Sequence, residues 1–427
     1  MECHCQTYDT YVAILKRELV CAMGCTEPIA IAYCAAVARA ALGELPERIE
    51  VEASGNMIKN AKSVVVPNTN GRKGIGAAAA LGVLAGNEEA GLQVVAEVTP
   101  EQREQLMAYL DTTPIRTIGV DTGHMLDIAV NVWGGGHSAR CRIVDEHTNV
   151  VLVEKDGVVL KEKEISQETG CDEGAPDYTL LTVEGICDFA DTCDLADVAE
   201  TLERQIACNK AIAMEGLRND YGANIGKTLL KVGPDTVRTR AKAWAAAGSD
   251  ARMNGCEMPV VICSGSGNQG MTASLPVIAY AEELGVSHEK LLRSLLVSNL
   301  ITIHEKTSIG RLSAYCGAVS AGAGAGCGIA YLQGGGVEEI SHTIVNALAV
   351  TSGIVCDGAK ASCAAKIATA VEVGMFGYEM YCNGQQFYGG DGLVRKGVEN
   401  SIENFGRLGR LGMKETDVEI IKMMTED

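Results

Sequence analysis

The chain has 427 residues, 47% of them hydrophobic, 4% aromatic and 49 of them glycine. That supply of apolar side chains excludes a disordered chain, and the length exceeds what one hydrophobic core usually serves, so two domains are expected. A formal net charge of −19 repels phosphate backbones and anionic lipid, which argues against nucleic acid and membrane surfaces as partners.

Met1 to Gln6 shows no basic segment leading into an apolar one, so no secretory signal and a cytoplasmic location are expected. The 17 cysteines should then stay reduced rather than form a disulfide framework. Cys34, Cys187, Cys208 and Cys327 sit in apolar stretches and read as small core hydrophobes. Cys3-His4-Cys5 resembles a metal tract but lies at a terminus expected to fray.

Residues 8–43 read as helix, interrupted at Gly24-Cys25-Thr26-Glu27-Pro28. Pro28 suits a first helical turn, so Cys25 should stand at the positive end of a helix dipole. That position favours a thiolate, the form that acts as a base, while Glu27 beside it opposes the effect.

From about residue 46 the pattern turns to strands, at 49–53, 64–66, 92–98, 117–120, 126–133, 139–144 and 150–154. Helices punctuate them at 75–84 and 100–110. The stretch Ser54-Gly55-Asn56-Met57-Ile58-Lys59-Asn60 reads as a polar loop whose Asn56, Lys59 and Asn60 could pair an amino acid's carboxylate. Such a loop is more often only a turn.

Beyond about residue 172 nearly everything suits helices, at 178–190, 195–220, 222–232, 237–247, 270–284, 288–305, 311–332, 338–355, 362–376 and 397–426. The run Ala314–Leu332 is Ala and Gly with little Leu, Ile or Phe, which predicts a buried helix rather than a membrane span. The expected fold class is α+β, with a mainly helical C-terminal bundle and a smaller α+β N-terminal domain. The boundaries read as 1–44 for N-terminal helices docking on the bundle, 45–171 for the α+β domain and 172–427 for an all-α catalytic domain.

Cys263-Ser264-Gly265-Ser266-Gly267-Asn268-Gln269-Gly270 precedes a good helix, and its glycines let backbone N–H groups converge. Ser264, Ser266, Gly267, Asn268 and Gln269 thus offer a cradle for a carboxylate or phosphate. The run lacks the Gly-Lys-Ser/Thr ending of a nucleotide loop. His304 and Arg252 are lesser candidates: His304 falls among apolar helical neighbours and reads as a satisfied core or surface histidine, and for Arg252 a simple pair with Asp250 competes with a role in the site.

Three cysteines come late, at 316, 356 and 363. On an unbroken helix Cys356 and Cys363 would be about 10.5 Å apart along the axis, awkward for one small cluster. Asp357-Gly358 is a turn signal and Ser362 can cap a new helix, so a loop should fold Cys363 back toward Cys356. Spacing alone weighs iron–sulfur ligands and buried free thiols evenly, because no short Cys-x-x-Cys pair is present.

Six motifs, in order, carry a resemblance that covers nearly the whole chain: Met23-Gly24-Cys25-Thr26-Glu27-Pro28, Asn56-Met57-Ile58-Lys59-Asn60, the segment 247–253, the segment 264–270, the segment 311–316 and the segment 355–363. The chain resembles the L-cysteine desulfidase family, relatives of the iron–sulfur-dependent L-serine dehydratases. The resemblance implies that Cys316, Cys356 and Cys363 hold a [4Fe–4S] cluster and that Cys25 is the acid/base thiol. It implies α,β-elimination of L-cysteine to pyruvate, ammonia and sulfide, without pyridoxal phosphate. Serine-specific relatives carry a Ser/His-rich stretch where this chain has its Gly-Cys-Thr-Glu-Pro motif, which tilts the expected substrate toward cysteine.

Three other readings compete. One is L-serine or L-threonine dehydration by the same cluster. Another is an iron–sulfur redox sensor without turnover, against which the two polar cradles argue. The third is a cysteine-rich helical binding protein with no metal. The partner expected throughout is a small amino acid, and Gly/Ala-rich helices with an acidic surface are compatible with a homodimer.

Overall fold

The structure, a computed structural model, describes residues 2–165 and 175–426, with side chains from residue 7 onward. The Cys3-His4-Cys5 tract therefore lies outside the described side chains. The N-terminal part is built on a six-stranded sheet and the C-terminal part on helices, an α+β protein as the pattern of strands and then helices predicts.

The sheet runs in the order Ile115–Val120, Arg48–Ser54, Asp127–Gly134, His137–Val144, Val150–Lys155, Val158–Glu162. Only the first pair is parallel. In Arg48–Ser54 the alternating Ile49, Val51 and Ala53 are buried, as a period of two demands of a strand. The helix Thr26–Leu42 lies against Asp127–Gly134 and His137–Val144, and the helix Gly74–Ala85 lies against it in turn. Gly82 makes that last contact feasible, because a Cβ there would fall 2.2 Å from the carbonyl oxygen of Ala32. Thr26–Leu42 thus belongs chiefly to the sheet, where the sequence had suggested docking on the helical half.

In the helical half the Ala/Gly run forms the helix Gly317–Leu332, buried from Ala318 to its end and wrapped by His288–Ile309, Gly267–Leu284, Val337–Thr351 and Cys363–Cys382. Small residues let two backbones touch: a Cβ on Gly374 would lie 1.9 Å from the Gly322 carbonyl oxygen. No helix among the described residues is long and apolar enough to cross a membrane.

A two-stranded antiparallel ribbon, Cys21–Met23 with Pro259–Val261, ties the two parts together. It continues in the Ile262 N–H, which donates to the Val20 carbonyl at 2.9 Å. The ribbon sets the Cys25 turn beside the loop that follows residue 261.

Some local expectations fail for a common reason. The apolar run 92–98 lies in a 3₁₀ turn, Glu88–Gln93, and the turns after it, because its buried Leu92, Val94, Val95 and Val98 have no strand to pair with. Short apolar runs do not distinguish strand from turn until partners are known. Val64–Val66 makes only an isolated bridge, from Val65 to Lys73. The stretch after Ser54 is a helix, Gly55–Ala61, and not a loop. The last helical stretch is broken into Val398–Arg407 and Lys414–Thr425 by a π-turn over 408–412.

Candidate active site

One cavity, open to solvent, lies between the two halves. From the sheet half it is lined by Cys25, Glu27, Asn60 and His147. The helical half contributes Arg252, the loop and first turn around Ser264, Ser266, Asn268 and Gln269, and then Lys306, Arg311, Tyr315, Cys316, Cys356 and Cys363.

The three late thiols reach this cavity by backbone means. The Cys316 N–H donates to the Ile354 carbonyl at 3.1 Å, and the Cys356 N–H donates to the Ala314 carbonyl at 2.6 Å. This short antiparallel ladder pairs Tyr315 with Val355 and so sets Cys316 and Cys356 diagonally across it. Cys316 caps the helix Gly317–Leu332, and Cys363 opens the helix Cys363–Cys382 after an irregular loop. Ser362 does occupy the cap position before Cys363, but its side chain makes no capping bond. Burial pushes the Cys316 thiol up to about 12, with Cys356 adding to the effect. Cys363 is raised as well, first by burial, although the backbone at Lys360 opposes it. Among the described residues no three His, Cys, Asp or Glu side chains stand close enough to hold a single metal ion.

Cys25 stands at the N-cap of Thr26–Leu42, as the Pro28 signal suggests, and is 2% exposed. Its thiol does not gain the expected ionisation. Burial, and next the Glu27 carboxylate, hold its pKa well above the ordinary thiol range, while Arg252 pulls the other way. The Cys25 Sγ–H donates to Glu27 Oε2 at 3.0 Å, and Thr26 Oγ1 donates to the same oxygen at 3.1 Å. The helix dipole thus loses to desolvation, and the resting group is a thiol aimed at a carboxylate.

The loop before the helix Gly267–Leu284 carries backbone strain. Ser264 has φ 47° and Gly265 φ 78°, conformations that L side chains adopt rarely and that cluster at functional sites. Behind this loop lies Arg252, for which the sequence offers a pair with Asp250. The structure corrects that pairing. Asp250 Oδ2 accepts the Gly226 N–H at 2.9 Å, and its carboxyl is raised to about 6 by burial. Arg252 is 1% exposed, and its Nη1 donates to Asn268 Oδ1 at 3.2 Å. Among the described residues its Nε and Nη2 have no partner, and neither do the buried His147 Nε2 and Gln269 Oε1. All three side chains line the cavity.

An enclosed guanidinium with two idle donors suits a planar carboxylate, which can accept from both at once. His147 is held neutral chiefly by burial. Arg311, by contrast, already donates to Glu18 at 3.1 Å and Glu146 at 3.2 Å. Lys306 is 5% exposed, and burial pulls its ammonium down to about 8 against the opposing pull of Cys356 and Cys316.

The structure brings together Cys25, Asn60, Ser264, Ser266, Asn268, Gln269, Cys316, Cys356 and Cys363. Asn56 and Lys59, expected to hold a carboxylate of the substrate, hold one of the protein instead. Lys59 Nζ lies 2.5 Å from Asp417 Oδ1, and Asn56 Nδ2 donates to Asp417 Oδ2 at 2.7 Å. Only Asn60 of that segment faces the cavity, where its Nδ2 reaches Glu27 Oε1 at 3.5 Å. Gly267 acts by lacking a side chain, since a Cβ there would lie 2.4 Å from Arg252 Nε. His304 is satisfied, as expected, by Glu399 Oε2 at 2.7 Å.

Glu27, His147 and Lys306 are not singled out by the sequence as site groups, and Arg252 only as a lesser candidate. Only burial without a partner reveals Lys306 and the idle edge of Arg252, and sequence does not display that. His147 sits in the turn between two strands, where a histidine carries no signal of its own.

Comparison with known proteins gives a concordant result. Residues 89–422 match the family model described as serine dehydratase alpha chain. The chain is 56% identical to a UPF0597 protein of Desulfitobacterium hafniense, covering 99% of this chain and 98% of that one. It is 52% identical to a UPF0597 protein of Lachnoclostridium phytofermentans, over 98% and 99% of the two chains. For a UPF0597 protein of Treponema denticola the identity is 46%, over 98% of each.

Proposed function

Because the chain belongs to the serine dehydratase alpha chain family, we propose that it is a lyase removing the β-substituent of a small amino acid, with L-cysteine as substrate and a [4Fe–4S] cluster as cofactor. The observation that carries the reading is the idle guanidinium edge of Arg252, buried in the same cavity as Cys25 and the three late thiols. An α-carboxylate fits that edge, and a reactive centre lies within the same enclosure.

The donor set suits an iron–sulfur cluster. Thiolates are the protein ligands of such clusters, and in a four-iron cube each binds a different iron. Its ligands therefore need not crowd together as the ligands of one ion must, in keeping with three thiols that share a cavity but form no single-ion site. Cys316, Cys356 and Cys363 would hold the group, giving up their protons as it binds. When bound by three thiolates, it offers an iron open to the substrate's β-substituent, a Lewis acid for the departing sulfur.

The chain's own residues supply the remainder. Arg252 Nε and Nη2 take the carboxylate and fix the orientation of Cα, with the Gln269 side chain close at hand. Glu27 is placed to accept the proton of Cys25, after which the thiolate takes the proton from Cα. The electron pair left on Cα forms the Cα–Cβ double bond as the Cβ–S bond breaks and sulfide leaves. The resulting aminoacrylate tautomerises to an imine, and water converts it to pyruvate and ammonia. The carboxylate in the Arg252 cradle stabilises charge as it develops at Cα.

The test is anaerobic reconstitution followed by assay of sulfide and pyruvate from L-cysteine. Turnover should be lost in Cys25→Ala with the cluster absorbance intact. A reconstituted protein inert toward cysteine, serine and threonine would sink the reading. The description of the matched family favours a second reading, dehydration of L-serine or L-threonine in the same cavity. Relative rates on the three amino acids decide between them.

A further inference from the structure

Lys59 and Arg311, two cations at or beside the cavity, have carboxylate partners, Asp417 for Lys59 and Glu18 and Glu146 for Arg311. Arg252 has the idle edge assigned above. Lys306 has nothing: among the described residues its ammonium has neither an ion pair nor a hydrogen bond, although the side chain is 5% exposed and lines the cavity. Its electrostatic neighbours are Cys356 and Cys316, which favour the charge, and Arg311, which opposes it. Holding an ammonium largely enclosed beside a cavity without a partner is costly, and a negative charge bound in that cavity offsets the cost.

We propose that Lys306 is the counter-charge of the thiol site, holding its ammonium ready for the negative charge that arrives when Cys316, Cys356 and Cys363 become thiolates on a bound cluster. This rests on the reading given under Proposed function and adds to it a residue that positions charge without touching substrate. Three thiolates leave a four-iron cluster with a net negative charge, which a neighbouring ammonium stabilises, and stabilises more when an electron is added. In the protein without its cluster the same charge is a burden. Lys306 should therefore trade stability of the empty protein for retention of the loaded one.

The test compares wild type, Lys306→Met and Lys306→Arg by three readouts other than turnover: thermal unfolding without iron, iron and sulfide content after anaerobic reconstitution, and the midpoint potential of the bound group. The expected result is that Lys306→Met without iron unfolds at the same or a higher temperature than wild type. Once loaded, it should lose iron to a chelator about tenfold faster, the size expected from losing one charge-assisted contact. Its potential should also shift to lower values, and Lys306→Arg should recover most of both losses.

If Lys306 merely supports the fold, Lys306→Met unfolds at a lower temperature and, where folded, keeps the wild-type potential. That outcome overturns the inference and leaves the proposed function standing. A wild-type protein that takes up no iron and sulfide overturns both.

Discussion

Gly267 lies directly against Arg252, so close that a Cβ on it would stand 2.4 Å from Arg252 Nε and 2.6 Å from Val260 Cγ2. The glycine therefore leaves room for the guanidinium to lie behind the strained loop. Gly267→Ala must displace one or the other. It should destabilise the fold by about 1–3 kcal/mol, the usual cost of overpacking, and raise KM for the amino acid. Unfolding curves and steady-state kinetics on the same preparation check both parts.

Arg252 itself should divide binding from stability. Losing a bidentate charge-assisted contact predicts a KM about tenfold to a hundredfold higher in Arg252→Met, with a smaller fall in kcat. Thermal stability should hold or rise, because the wild-type side chain buries two donors that have no partner among the described residues. An unchanged KM would remove Arg252 from the carboxylate site.

Lys59 predicts the reverse pattern. Its pair with Asp417 is enclosed, the two side chains being 0% and 5% exposed. Lys59→Met leaves that carboxylate buried without a counter-charge, held only by Asn56, and should cost about 3–5 kcal/mol. The folded fraction should keep its KM, and a second change, Asp417→Leu, should restore most of the stability. A KM effect that persists in the stable double variant would return Lys59 to the substrate site.

Asp250 gives a pH signature. Burial raises its folded pKa to about 6 from an ordinary 3.8. Its contribution is therefore fully present below about pH 3.8 and is lost as pH rises through 6, since the folded state disfavours the charged form. Asp250→Asn keeps an oxygen for the Gly226 N–H without the charge, so its advantage over wild type should grow between pH 4 and pH 7. Melting temperatures of both proteins across that range test the sign.

Cys25 predicts an alkaline rise in rate. Burial and Glu27 hold the thiol neutral, so a thiolate base accumulates only as pH increases. In Glu27→Gln the repulsion is gone and the limb should move to lower pH. The rate below the limb should fall relative to the plateau at the same time, because the group that accepts the thiol proton is also gone, while the plateau, where Cys25 is already a thiolate, should change little. Profiles of kcat/KM against pH for the two proteins show both effects.

How much of this was written in the sequence depends on the range of the interaction. The Pro28 signal places Cys25 at a helix start and Ser362 marks the start of the helix that Cys363 opens, because caps are decided within a few residues, whereas the helix before it already ends at Thr351, short of Asp357-Gly358. The buried Ala/Gly helix was legible from composition. The state of Cys25 was not, since desolvation depends on what covers the sulfur. Nor was the partner of Lys59, which is 358 residues away in the chain. For Arg252 the sequence offers Asp250, a near neighbour, although the buried carboxylate accepts a backbone N–H of another segment.

The crossing of Gly322 and Gly374 reaches further than packing. The helix that follows Cys316 and the helix that begins with Cys363 are the two whose backbones meet there, six and eleven residues further along. Their contact works as a caliper, with glycine carbonyls at the pivot and the sulfur atoms at the tips. A methyl group added at Gly374 would wedge the arms apart and change the gap between the sulfurs without touching either of them.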